Sequence, residues 1–314
     1  MKANLTYCKI FYMLLILWTA MACKDKEPGA QYQNPVRTYK LAMVQMEVNP
    51  GKPGVNLDRA AERVTRAAAN GASMALLPEA MDLGWTDPSA HTQACEIPAG
   101  KTCRRLCRVA RENGIFICAG IVEKDGEKTY NSAVIIDPAG QVILTHRKIN
   151  ELDIAHDVYA QGDRLGVVHT SIGTLGLFIC ADANAFNQCL SNSLGYMGAD
   201  IILSPSAWAV KPGYDNKATP YAEPWRSLYR ATSSRFDLWM IGVSNVGKIE
   251  AGPWKDWSCI GSSLAFAPGG REVLQAPFGV EADTITYVDI ELNDRPARGT
   301  GWQKFWESHL PDAQ

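Results

Sequence analysis

Apolar positions along residues 39–292 follow two rhythms. Short apolar runs such as "YKLAMVQMEV" and "SMALLPEA" have the length and composition of buried strands. Between them, 55–70 places Leu57, Ala60, Ala61, Val64, Ala67 and Ala68 on one helical face and closes at Gly71. A second helix is expected over 101–113, stopped by Gly114. "IFICAGIVEK", "YNSAVIID" and "VILTHRK" then read as three strands joined by short polar turns, among them "PAGQ", which makes this sheet mixed or antiparallel. "GLFIC" leads into a helix expected over 187–197, the strand "ADIILSPSA", a helix over 221–236 and the strand "LWMIGVSNVG". The segments "SSLAFAPGG", "REVLQAP" and "TITYVDIEL" return to strand and hairpin. No repeat, low-complexity block or interdomain linker breaks the series, so one α/β domain is expected over 38–294, with a C-terminal arm over 295–314.

The chain ahead of the domain has a different character. Lys2 and Lys9 precede an uncharged run, "IFYMLLILWTAMA", that ends in small residues before Cys23. Its apolar core is about 13 residues, against roughly 20 for a membrane-spanning helix, so 1–22 reads as a signal peptide. Ala20-Met21-Ala22-Cys23 resembles a bacterial lipobox, in which the cysteine takes lipid and becomes the mature N-terminus. The expectation is an exported protein held on a bacterial membrane, in the periplasm or at the outer surface, through lipid on Cys23. The polar stretch that follows, 23–37 with two prolines, reads as a tether.

Charge narrows the partners. The 31 basic and 33 acidic residues leave a net charge of −2, and cleavage before Cys23 removes two lysines and no acid, moving it to about −4. No long run of one sign occurs, which argues against nucleic acid and for small molecules. Seven cysteines follow Cys23, an odd number for an exported chain, so at least one is expected to stay free or to pair between chains.

Three strand ends carry reactive side chains: Glu79 after "ALLP", Lys148 after "ILTHR" and Cys180 after "GLFI". Loops at such ends are positioned by a rigid sheet, which suits chemistry. Taken singly, each has an ordinary explanation as loop acid, surface charge or buried small hydrophobe.

Together with their flanking words, the three resemble the nitrilase, or carbon–nitrogen hydrolase, superfamily, whose members use a glutamate, a lysine and a cysteine in that order. The matching words are "LLPEA" at Glu79, "YNSAVIIDPAGQV" leading to "HRKIN" at Lys148, "QGD" at Gly162, "GLFICAD" at Cys180, "GADIILSPSAW" at Trp208 and "GVSNVG" at Asn245. The resemblance implies a four-layer α-β-β-α sandwich, no cofactor or metal, and a homodimer or higher homo-oligomer. It also implies that Glu79 takes the thiol proton, that Cys180 attacks the carbon of a C–N bond, and that Lys148 and the backbone N–H of Ala181 stabilise the oxyanion.

Departures qualify the pocket. Ala181 stands where members often have an aromatic, Asp182 keeps the acid, and "ANAFNQ" diverges further. A second family glutamate would fall at Ala155, so Glu151 is expected to orient Lys148 in its place. Tyr130, Asn131, Asp182 and Trp208 are the expected pocket residues. Members acting on nitriles commonly have Trp-Glu after the cysteine, whereas Ala181-Asp182 favours an amide or N-carbamoyl substrate. The alternatives are nitrile hydrolysis by the same triad, an inactive amide-binding lipoprotein, acyl transfer, and a Cys–His hydrolase using His146, His156 or His169. A metal site of His91, Cys95, Cys103 and Cys107 has a spacing that matches no common zinc pattern.

Overall fold

The computed structural model describes residues 38–294 and Ser308. The expected signal peptide, Cys23 and the tether lie outside the described residues, as does the C-terminal arm apart from Ser308.

Fifteen strands and four main helices are described. In chain order they are β1 (Thr38–Gln45), α1 (Pro53–Ala69), β2 (Ala72–Leu76), α2 (Lys101–Asn113), β3 (Phe116–Asp125), β4 (Lys128–Ile136) and β5 (Val142–Arg147). Then follow β6 (Gly166–Thr170), β7 (Gly173–Leu177), α3 (Cys189–Tyr196), β8 (Ile201–Ser206), β9 (Ala209–Val210), α4 (Glu223–Phe236), β10 (Trp239–Ser244) and β11 (Val246–Lys248). The last are β12 (Ser258–Ile260), β13 (Leu264–Ala267), β14 (Arg271–Gln275) and β15 (Thr284–Glu291). A short helical turn, Ala90–Gln93, lies between β2 and α2.

Two six-stranded sheets result, in the orders β15-β1-β2-β3-β4-β5 and β14-β13-β10-β8-β7-β6, with a small third sheet β11-β12-β9. Each large sheet has a parallel centre, β1-β2-β3 or β7-β8-β10, flanked by antiparallel strands. The parallel pairs require crossovers, and α1, α2, α3 and α4 supply them.

Side-chain alternation assigns the layers. In β1, Leu41 and Met43 join a core shared with Leu177 and Leu203 of the second sheet, while Ala42 and Val44 face Leu57, Ala60 and Val64 of α1 and Leu106 of α2. On the far side, Leu194 of α3 and Tyr229 and Phe236 of α4 close over Ile202 and Met240. The architecture is an α-β-β-α sandwich. With both faces of each sheet covered, the central strands read as continuous apolar runs in the sequence.

Three expectations change. The helix placed at 187–197 begins at Cys189, because Asn187 and Gln188 take left-handed φ of 53° each and keep the preceding turns from continuing into it. The strand "LWMIGVSNVG" breaks at Asn245 into β10 and β11, which belong to different sheets. Strands β6, β9 and β12 add pairings beyond those expected.

Candidate active site

Each expected catalytic side chain sits just past a strand end. After β2, Leu77 N–H donates to the Cys118 carbonyl (2.8 Å) and the chain turns at Pro78, Glu79 and Ala80, the last at φ 45°. That turn lies flush on β3 because position 120 is glycine: a Cβ there would stand 2.5 Å from Glu79 Cα. Gly120 N–H donates to the Pro78 carbonyl and Met81 N–H to the Gly120 carbonyl, both at 2.9 Å. Glu79 N–H also donates to the Ser206 carbonyl (3.2 Å) at the end of β8, joining the two sheets at the site.

Lys148 follows β5, its own N–H donating to the Asn131 carbonyl (2.9 Å) and its carbonyl accepting from Gly162 N–H (2.8 Å). Its side chain is only about 1% exposed and points at Glu79, with Nζ to Oε1 at 2.8 Å. Glu151 stands 3.3 Å from the same ammonium, and Asn131 Nδ2 donates to Glu79 Oε1 at 2.7 Å. β7 ends at Leu177, and after Phe178 and Ile179 the chain reaches Cys180, which opens a 3-10 turn, Cys180–Asn184, at φ 45°. A left-handed non-glycine residue at a nucleophile costs of order 1–3 kcal/mol, which surrounding structure sustains.

The electrostatics follow from burial. The Cys180 thiol is pushed far above its ordinary value, first by burial and then by the Glu79 charge, against a smaller opposing effect of Lys148. It is therefore a neutral thiol at rest, with the Glu79 carboxylate close enough for its charge to act on it. Burial works against the Lys148 charge, but Glu79, Glu151 and Cys180 outweigh it and hold Lys148 well above the usual ammonium value. Burial raises the Glu151 carboxyl despite the neighbouring Lys148. Two carboxyl groups sharing one buried ammonium add little net stability and strongly perturb titration, the signature of a functional cluster.

The structure thus brings Glu79, Lys148, Cys180, Glu151 and Asn131 together. Ala181 is the second residue of the 3-10 turn, where leading N–H groups lack partners within the helix. The other three expected pocket residues are placed as follows. Tyr130 lies on the opposite face of β4 from Asn131 and stacks on the Arg147 guanidinium, 3.9 Å from its ring centre, because neighbouring residues of a strand face opposite ways. Trp208 is about 1% exposed and stacks behind the cleft on Trp225 at 4.9 Å.

Asp182, the third, is a brace. It is fully buried and accepts from the backbone N–H groups of Ile179 (2.9 Å), Ile149 (3.0 Å) and Asn150 (2.7 Å), with His146 Nε2 at 2.8 Å. One carboxylate therefore ties the Cys180 turn to the segment carrying Lys148. Burial disfavours its charge, yet the bonds from His146, Ile179 and Asn150 prevail and lower its pKa.

The Cys–His reading finds no support in this geometry. His146 is committed to Asp182 and to the Arg164 carbonyl (3.2 Å), His156 is exposed, and His169 is exposed and bonded to Thr174. Among the described residues no group of three or more His, Cys, Asp or Glu side chains is arranged to hold a metal ion. Cys95, Cys103, Cys107, Cys118, Cys180, Cys189 and Cys259 are all free thiols. Sequence reasoning missed Gly120 and the Asp182–His146 pair. Gly120 carries no chemical signal, and the pair is spread over 36 positions.

This fold holds a buried cluster of acid, ammonium and thiol, and comparison with known proteins gives the class. The chain belongs to the carbon-nitrogen hydrolase family, whose pattern matches residues 40–297, and it is an amidase-like member of that family. It is 35% identical over 258 residues to a nitrilase of Pyrococcus abyssi, covering 81% of this chain and 90% of that one. It is 28% identical over 264 residues to an omega-amidase of Xenopus tropicalis, covering 81% and 89%. Among solved structures, a carbon-nitrogen hydrolase from Helicobacter pylori G27 superposes with a TM-score of 0.70 at 19% identity, covering 81% of this chain and 89% of that one. A mutant amidase of the nitrilase superfamily from Nesterenkonia gives 0.69 at 19%, covering 82% and 93%.

Proposed function

We propose that the protein hydrolyses the C–N bond of a small non-peptide amide or N-carbamoyl compound through a thioester on Cys180. The observation that carries this reading is the buried Glu79 carboxylate, held 2.8 Å from the Lys148 ammonium and near enough to the buried Cys180 thiol for its charge to act on it. Because the resting thiol is neutral, Glu79 acts as general base while Sγ attacks the carbonyl carbon. The oxyanion forms against Lys148 and the Ala181 N–H, an arrangement in which a single donor contributes roughly 3–4 kcal/mol. Glu79, now protonated, gives its proton to the leaving nitrogen, and ammonia or an amine departs. Glu79 then takes a proton from water, the new carbon–oxygen bond forms as the C–S bond breaks, and the thiolate recovers the proton from Glu79. The sum is amide plus water giving acid plus ammonia or amine. Glu151 and Asn131 hold Lys148 and Glu79 in register.

A single-turnover reaction with a primary amide tests this. The expected result is an acyl mass addition confined to Cys180 and ammonia release, both lost in Cys180→Ala. Nitriles form the comparison arm, since the same thiol adds to a nitrile carbon. Binding without any acylation would leave only an amide-binding protein. We also propose, from Ala20-Met21-Ala22-Cys23 and the family resemblance, that lipid on Cys23 holds the domain at a bacterial membrane and that it works as a homodimer or larger assembly.

A further inference from the structure

A groove of about 900 Å³ lies beside the turn that carries Cys180, in the size range of small-molecule sites. It is lined by Asn184, from the turn that Cys180 opens, and by Tyr214, Pro220, Tyr221, Glu223 and Trp225. The rings form a chain: Tyr214 to Tyr221 at 6.2 Å, Tyr221 to Trp208 at 6.4 Å and Trp208 to Trp225 at 4.9 Å. Its link to the nucleophile is Asn184, the last residue of the 3-10 turn that Cys180 opens. Burial chiefly raises the pKa of the Tyr221 phenol.

The charges are one-sided. Among the lining side chains the charged one is Glu223, which pairs with Arg226 at 3.5 Å, and Arg226 is itself bonded to Glu272 (2.9 Å) and Gln275. Among the described residues no cation lines the groove to receive a carboxylate. At the other end, Glu79 is about 1% exposed and already holds Asn131 and Lys148. The leaving nitrogen has to face Glu79 to collect its proton, which leaves space there for a small group, while the rest of the substrate extends toward the rings.

We infer that this groove is the acyl subsite, and that the preferred substrate is a primary amide of an uncharged aryl or alkyl acid rather than the monoamide of a dicarboxylic acid. The inference rests on the amide-hydrolase reading above. An aryl group stacks on Tyr214 and Tyr221 and leaves water, whereas a terminal carboxylate would lose hydration beside Glu223 with no partner.

The experiment measures ammonia release from phenylbutyramide, hexanamide, acetamide and glutaramate. The expected kcat/KM for phenylbutyramide exceeds that for glutaramate by roughly a hundredfold, the scale set by burying apolar groups and leaving a polar one unpaired. Tyr214→Ala lowers the phenylbutyramide value by about tenfold, and Thr219→Arg, on the groove wall, shifts preference toward glutaramate by a similar factor. Far-UV circular dichroism confirms that both variants are folded. Glutaramate as the best substrate, or a preference untouched by Tyr214→Ala and Thr219→Arg, overturns the acyl-subsite assignment while leaving the hydrolase reading standing. No ammonia from any amide and no acyl mass on Cys180 overturns both.

Discussion

At the scale of single residues, Asp182 separates positioning from chemistry. It touches no reacting atom, yet it joins the Cys180 turn to the backbone beside Lys148. Asp182→Asn keeps the shape and weakens charge-assisted bonds, so kcat is expected to fall by roughly 10–100-fold with KM little changed. A parallel fall in the alkylation rate of Cys180 by iodoacetamide checks that the thiol has moved. Because the folded pKa of Asp182 is depressed, its stabilising contribution is present above about pH 4 and is lost as pH falls through the folded value, so acid unfolding of Asp182→Asn should be less steep. Gly120→Ala tests the opposite case, a residue with no chemistry: its Cβ would press on Glu79 Cα, displacing the base and removing most turnover in an ammonia assay. That Glu79, Lys148 and Cys180 stand at strand ends could be read from the words around them. Asp182 could be seen but not understood, since its partners become neighbours only after the sheets pack.

Among elements, the readable ones were those whose burial is periodic. Helices α1 and α2 show one apolar face and are capped by Asn70 and Gly114, and their positions agree with expectation to within two residues. Helix α3 is short, and its start is set by two left-handed residues that hydrophobic spacing does not register. Strand β6 is half-exposed and polar at His169, and β9 and β12 are too short to show a period. The segment after β2 is also fixed by a buried acid. Asp82 accepts from Leu83 N–H (3.0 Å) and Val122 N–H (3.1 Å), and burial pushes its pKa up to about 7. A raised folded pKa favours the protonated native state, so the contribution of Asp82 to stability is greatest below about pH 4 and declines as pH rises through about 7. The full difference is at most about 4 kcal/mol. Denaturant melts across pH 5–8 should show this decline in the wild type and a flatter profile in Asp82→Asn, which keeps the acceptor without the charge.

Taken whole, the molecule is held by a core between the sheets and another under α1 and α2. Met43→Ala, in the intersheet core, is expected to cost about 2–5 kcal/mol in a urea melt. For the chain outside the described residues, Cys23→Ser should release the domain from membranes on fractionation or block processing; wild-type protein found only in the cytosol with 1–22 attached would end the anchoring proposal and leave the hydrolase untouched. Glu79 and Lys148 hang from one sheet and Cys180 from the other, and the Glu79–Ser206 and Asp182 bonds are stitches between them at the site. Turnover is therefore a vernier for the alignment of two plates. A slip of an ångström, too small to unwind a helix or unzip a strand, parts base from thiol. On heating, the enzyme should fall silent several degrees before far-UV circular dichroism reports any loss of structure.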